Sequence, residues 1–237
     1  MTTSLFILPG WCLGRGPLQA VAATLGGTFI DLPGYGAAPF EDDFDRAAAA
    51  LAASLPPGAQ LAGWSLGAML ALAVAARAPH KVSRLLLIAG TASFVQRPGW
   101  PQAMPPAALA DFTNAVLADT AAMLPRFVGG FNRGDARAKA VTAEILRLTS
   151  PLPPAAALAS GLNWLRDVDL RHQAANVTAP TLLLHGAADP LMPLAAAEAL
   201  TALIPDARLS VLDDCAHAPF LSSPDDFLAL SYPFVCS

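Results

Sequence analysis

The sequence predicts an α/β domain in which a mostly parallel sheet is covered on both faces by helices, and three observations carry that prediction. Short apolar runs stopped by turn residues alternate with helix-forming stretches along most of the 237 residues. The composition is 54% hydrophobic and only 14% charged, against about 25% charged in an average soluble domain, so apolar surface is ample for strands buried on both faces. Between one apolar run and the helix after it stands Gly63-Trp64-Ser65-Leu66-Gly67, a G-x-S-x-G pentapeptide at a strand-to-helix turn.

The elements follow in order. The apolar run 4–8 ends at Pro9-Gly10, and a second, 27–32, ends at Pro33-Gly34; each reads as a buried strand stopped by a turn. Residues 17–25 between them supply a helical turn or two. The acidic stretch 41–45 precedes the Ala-rich segment 46–55, a strong helix former with negative charge where a helix N-terminus favours it. A short strand over 61–63 leads through Ser65 into a helix over 66–78, closed by Pro79. A strand over 84–89 follows. After a long interruption come strand 181–185, helix 194–203, strand 208–212 and helix 224–230.

Residues 93–176 break the alternation. Pro98, Pro101, Pro105, Pro106, Pro125, Pro151, Pro153 and Pro154 divide helix-like pieces such as 107–117 and 136–148, and no strand alternation runs through them. Division of the length by roughly 150 residues per domain favours one large domain or a core with an insertion. The expected organisation is therefore a core of 1–92 and 177–237 with a helical cap of 93–176 over the C-terminal strand ends, where open α/β sheets bind ligands.

Composition also excludes function classes. A net charge of -4 leaves no basic field for nucleic acid or for an anionic membrane surface. Residues 47–76 carry no charge, but Pro56, Pro57 and Gly58 interrupt them, and the remaining 61–76 fall short of the roughly 20 residues that span a bilayer. No Lys or Arg precedes the first apolar run, so a secretory leader is not expected and a cytoplasmic location is. Cys12, Cys215 and Cys236 have neither disulfide nor metal-ligand spacing and read as free thiols.

A serine hydroxyl needs a base to take its proton, and the base needs an orienting group. Asp189 lies in His185-Gly186-Ala187-Ala188-Asp189-Pro190, just past strand 181–185, and His217 lies in Cys215-Ala216-His217-Ala218-Pro219-Phe220, just past strand 208–212. Both positions share the sheet edge of Ser65, and the order Ser, Asp, His is that of one of the three known triad arrangements. Ser65 is thus the expected nucleophile, His217 the base and Asp189 its orienting acid. His80 and His172 read as solvated residues, His185 as a structural histidine at a strand end, Asp31 as a loop brace and Asp213 as the reserve acid. The oxyanion donors are expected from the backbone N–H groups of Leu66, which follows the nucleophile, and of Trp11, in the loop Pro9-Gly10-Trp11-Cys12 after the first strand. The Trp11 and Trp64 side chains are expected to line the pocket. This chemistry calls for no metal and no organic cofactor.

With these residues in hand, the chain resembles the α/β-hydrolase family. Within it, the chain is similar to the esterases that act on a methyl-esterified pimeloyl chain held by an acyl carrier protein in biotin synthesis. The resemblance rests on Pro9-Gly10-Trp11, Asp31-Leu32-Pro33-Gly34-Tyr35-Gly36, the Ser65 pentapeptide, Gly99-Trp100-Pro101, Val168-Asp169-Leu170-Arg171 and Ala216-His217-Ala218-Pro219-Phe220. It implies an α/β-hydrolase fold, ester hydrolysis between core and cap, and an acyl carrier protein docked on cap arginines. Arg126, Arg133 and Arg137 match such positions, and Phe127 matches a residue lining the acyl channel. Residues 126–147 carry five basic side chains against Asp135 and Glu144, a basic lid on an acidic body that suits an acidic partner. Two departures stand out: Pro9-Gly10 replaces the family's His-Gly, and the leading strands common in the family are missing or truncated, which implies about six strands.

Overall fold

The computed structural model describes residues 4–149 and 151–236. Positions 1–3 and 237 of the expected core and position 150 of the expected cap lie outside the described residues. Six strands form one sheet: β1 (Leu5–Leu8), β2 (Thr28–Phe29), β3 (Ala59–Trp64), β4 (Val82–Ile88), β5 (Thr181–Gly186) and β6 (Ala207–Leu212). Their spatial order is β2-β1-β3-β4-β5-β6, and every neighbouring pair is parallel. The strand order reverses between β1 and β3, and in such sheets the crevice at that switch point is where ligands sit.

The central strands are apolar because both faces are covered. All six residues of β3 and of β5 are buried. Helix α1 (Gln19–Leu25) follows a 3₁₀ turn at Gly16–Leu18, and α2 (Phe44–Ser54) comes next. The Asp43 carboxylate caps α2 by accepting from the Arg46 N–H at 2.8 Å. Helix α3 (Leu66–Arg77) is buried from Leu66 through Ala76, the mark of a helix packed all round.

Between β4 and β5 the chain forms α4 (Pro106–Ala118), α5 (Thr120–Phe131), α6 (Ala138–Leu148), α7 (Ala155–Asp167) and the short α8 (Arg171–Ala174). Helix α9 (Leu194–Leu203), a single turn α10 (Pro219–Ser222) and α11 (Pro224–Cys236) complete the chain. No helix among the described residues is long and apolar enough to cross a membrane.

Several boundaries differ from the sequence reading. The second strand was expected over 27–32 but pairs only at Thr28 and Phe29; it is the sheet edge, with β1 as its one neighbour, and past the single bond from Ile30 N–H to Ile7 O the chain turns at Pro33-Gly34. Helix α5 runs through Pro125, although proline costs a helix interior one hydrogen bond. An Asp119 cap accepting from Ala122 N–H at 3.0 Å and the buried Val128 and Phe131 offset that loss. Helix α11 likewise continues through Pro233 to Cys236, beyond the expected end at 230.

Candidate active site

Ser65 stands between β3 and α3 with φ 59° and ψ -120°, a backbone conformation that costs a non-glycine residue on the order of 1–3 kcal/mol. The two glycines of the pentapeptide make the turn possible. A Cβ on Gly63 would lie 2.3 Å from Gly67 O, and one on Gly67 would lie 2.4 Å from Pro9 O. The strand, the helix and the loop after β1 thus meet at backbone contact, and the serine is pushed to the edge of the sheet.

Asp189, after β5, and His217, after β6, converge on it. His217 Nε2 lies 2.9 Å from Ser65 Oγ, and His217 Nδ1 lies 2.7 Å from Asp189 Oδ2. All three residues are buried. The other carboxylate oxygen, Asp189 Oδ1, accepts from the Leu191 and Met192 N–H groups, both at 2.9 Å, so the acid is fixed before it meets the imidazole. With Nδ1 donating to Asp189, Nε2 is the free acceptor for the serine proton.

The remaining candidates separate cleanly. His80, His172 and Asp213 are exposed. Asp31 braces the loop after β1 through a bidentate pair with Arg15 at 2.6 Å. His185 is wholly buried, donates from Nε2 to Met192 O at 2.6 Å, and is pushed below the usual histidine range first by burial and then by nearby His217, while Asp189 and Met192 oppose. It is a neutral brace behind Asp189. Cys12 is the other nucleophile type near the site; burial pushes its thiol up to about 12, which keeps it protonated and inert.

Trp11 and Leu66 flank Ser65 from two sides. Among the described residues neither backbone N–H has a hydrogen-bond acceptor, as a helix N-terminus leaves its first donors. The loop carrying Trp11 is set by Cys12, at φ 70°, whose N–H donates to the buried Tyr35 hydroxyl at 2.9 Å. This bond ties the Leu32-Pro33-Gly34-Tyr35-Gly36 segment to the loop that carries Trp11. The Trp11 indole donates to Leu158 O of α7 at 2.9 Å and packs edge-on against Phe112 and Phe127.

Above Ser65 and His217 opens a cavity of about 280 Å³, walled by Trp11, Trp64, Phe94, Phe112, Phe127 and Leu191. Its walls are apolar, as binding sites for carbon chains are. Arg126 is the one Lys, Arg, Asp or Glu among the described lining residues. Trp64 has a second task, since its indole donates to His217 O at 2.8 Å.

The three arginines expected to dock a carrier differ in their contacts. Arg126 and Arg133 are exposed and make no ion pair among the described residues. Arg137 is exposed as well but also donates to Ser222 O at 2.8 Å and to Leu221 O at 3.4 Å, which ties it to the end of α10. Asp135, counted in the sequence only as a charge on the lid, is buried. It accepts from Arg137 N–H at 2.7 Å, Ser222 Oγ–H at 2.7 Å and Ala216 N–H at 2.8 Å. No motif flagged it; the one available signal was its place immediately before the helix-like piece 136–148.

Among the described residues no group of three His, Cys, Asp or Glu side chains could hold a metal ion. The chain matches the alpha/beta hydrolase fold family over residues 5–224. It is 42% identical to the pimeloyl-[acyl-carrier protein] methyl ester esterase of Aromatoleum aromaticum, over 95% of each chain. It is 36% identical to the protein of the same name from Nitrosomonas europaea, over 95% of this chain and 92% of that one. An esterase from Exiguobacterium antarcticum superimposes with a TM-score of 0.83 at 22% identity, over 100% of this chain and 94% of the other. A strained serine on a strand-to-helix turn, the relay behind it and these likenesses lead to one conclusion: the chain belongs to the α/β-hydrolase family.

Proposed function

We propose that the protein is a serine carboxylesterase that hydrolyses the methyl ester of pimeloyl-[acyl-carrier protein] to the free acid and methanol, as the names of its relatives say of them. The observation that carries the reading is the hydrogen-bonded relay of Asp189, His217 and Ser65 opening on an apolar cavity. In this mechanism Ser65 Oγ attacks the ester carbonyl as His217 Nε2 takes its proton. Asp189 stabilises the imidazolium. The Trp11 and Leu66 N–H groups hold the oxyanion. Collapse of the tetrahedral intermediate breaks the bond to the methoxy oxygen, which leaves as methanol with the proton from His217. Water then attacks the acyl-enzyme, His217 takes its proton and returns it to Ser65 Oγ, and the carboxylic acid departs.

Residues 93–176 act as the cap in this reading. Phe127, Trp11 and Trp64 contact the methylene chain, and the carrier docks on the exposed Arg126 and Arg133, with Arg137 serving mainly to hold the cap to the core. An acyl carrier protein is a cytoplasmic partner, so the enzyme belongs there. The test compares kcat/KM for pimeloyl-[acyl-carrier protein] methyl ester, dimethyl pimelate and p-nitrophenyl butyrate at low and high salt. A preference for the carried ester that fades with salt is the expected result. Equal hydrolysis of the free esters would overturn the carrier-bound substrate and leave a general carboxylesterase.

A further inference from the structure

His217 sits on a loop whose backbone is held from several sides. Ala136 N–H donates to Asp214 O at 2.8 Å, Ala188 N–H to Cys215 O at 2.9 Å, and His217 N–H to Phe131 O at 3.4 Å. Trp64 holds His217 O, and Asp135 Oδ2 accepts from Ala216 N–H at 2.8 Å. Three of these five tethers come from 131–136, the turn between α5 and α6. Among those three, the bond to Phe131 is long and neutral. The bond to Asp135 is short and has a carboxylate acceptor, the kind that is roughly twice as strong as its neutral counterpart.

Asp135 is a buried acid that the ester chemistry does not use directly. No Lys, Arg or His among the described residues lies within ion-pair distance of its carboxylate; three O–H and N–H donors from three segments satisfy it instead. Buried acids are retained at such a cost only where every donor is used. With Ala188 N–H on Cys215 O and Asp135 on Ala216 N–H, both ends of the peptide unit preceding His217 by one residue are fixed. The carboxylate is carried by the turn that also carries Arg133 and Arg137.

We propose that Asp135 is a positioning residue for His217: a carboxylate from the cap turn that holds the loop of the base in register with Ser65, so that the cap takes part in assembling the relay. The inference rests on the reading of Ser65, His217 and Asp189 as the catalytic triad. Displacement of a catalytic group by about 1 Å can cost on the order of 100-fold in rate, so the signature is a fall in kcat with little change in KM.

The experiment measures p-nitrophenyl butyrate turnover per Ser65 titrated by a fluorophosphonate, alongside the melting temperature. For Asp135→Asn, in which the amide turns a donor toward at least one of three donors, kcat per titrated site should fall about 10- to 100-fold while KM moves less than about threefold. Ser222→Ala removes a donor to the same carboxylate and a contact to the Cys215 thiol but keeps the Asp135 bond to Ala216 N–H; it should lower the melting temperature and leave kcat within about threefold. If Asp135→Asn yields no titratable protein, Asp135→Glu, which keeps the charge and shifts it by a methylene, should show the same fall in kcat. Wild-type kcat per titrated site in the folded variant, or a loss no larger than that of Ser222→Ala, would overturn the proposal. Ser65→Ala, assayed per mole of folded protein because it leaves no serine to titrate, tests the triad separately, so failure of the triad and failure of the Asp135 role give different results.

Discussion

The elbow and the 93–176 segment, the proposed cap, contribute to the same cavity but are built in different ways. At the elbow, β3 and α3 are buried almost throughout, and backbone meets backbone at Gly63, Gly67 and Pro9. In the cap, α4 buries only Leu109 and Val116, α5 only Val128 and Phe131, and α6 only Val141 and Ile145. Helix α7 is the exception, buried at Ala157, Leu158, Ser160, Gly161, Leu162, Trp164 and Leu165. It takes the Trp11 indole bond at Leu158 and leaves room for that ring at Gly161, where a Cβ would lie 2.4 Å from Trp11 Cδ1. The difference teaches that close backbone packing is concentrated where Ser65 is strained. Residues 93–176 are joined to the rest chiefly through α7 and through bonds of individual residues such as Leu158, Asp135 and Arg137, the arrangement that the proposed cap role calls for.

Substitutions can break or sharpen that contrast. The largest effect belongs to the elbow: Ser65→Ala should lower kcat for p-nitrophenyl butyrate by about 10⁴-fold or more with an unchanged circular dichroism spectrum. A residual rate within tenfold of wild type would remove Ser65 from the chemistry. Gly67→Ala should destabilise the fold by at least about 1–3 kcal/mol, because its Cβ would meet the Pro9 and Leu8 carbonyls; denaturant titration reads this directly. An equivalent Gly130→Ala in the cap, where a Cβ meets nothing within 4 Å, should be neutral or stabilising by up to about 1 kcal/mol. Equal effects at both glycines would erase the contrast.

Cap charges should matter only to a carried substrate. Arg126→Glu with Arg133→Glu should reduce kcat/KM for the carrier-bound ester by about tenfold at low salt, less at high salt, and leave dimethyl pimelate within about twofold. The smallest effect concerns pH. Folding holds His185 below its ordinary value of 6.5, chiefly by burial, so the unfolded chain takes up a proton there that the folded chain refuses. Its stabilisation is complete above pH 6.5 and declines as pH falls, by at most about 1.4 kcal/mol per unit. His185→Gln should flatten the melting temperature between pH 5 and 6.5, and an unchanged slope would show that His185 does not set it.

Much of the core was legible because its signals are local. Ser65, Asp189 and His217 each follow a strand, and parallel strands deliver their C-terminal ends to one edge, so three short patterns suffice to gather them. The edge strand was over-read because pairing on one side supports less of it. Helix α5 was missed because Pro125 and the glycines at 129 and 130 argue against a helix that burial of Val128 and Phe131 nevertheless holds.

By itself, then, the sequence determined the alternation of strands and helices, the serine turn and the placing of Ser65, Asp189 and His217 each after a strand, since each of these is written in neighbouring residues. Only the tertiary structure decided which charges of the 126–147 segment face solvent. It left Arg126, Arg133 and Arg137 exposed, tied Arg137 to Ser222 O, and turned Asp135 inward to Ala216, 81 residues away in the chain. Such contacts depend on how cap and core meet, and no local pattern of charge or hydropathy encodes the partner of a side chain across that distance.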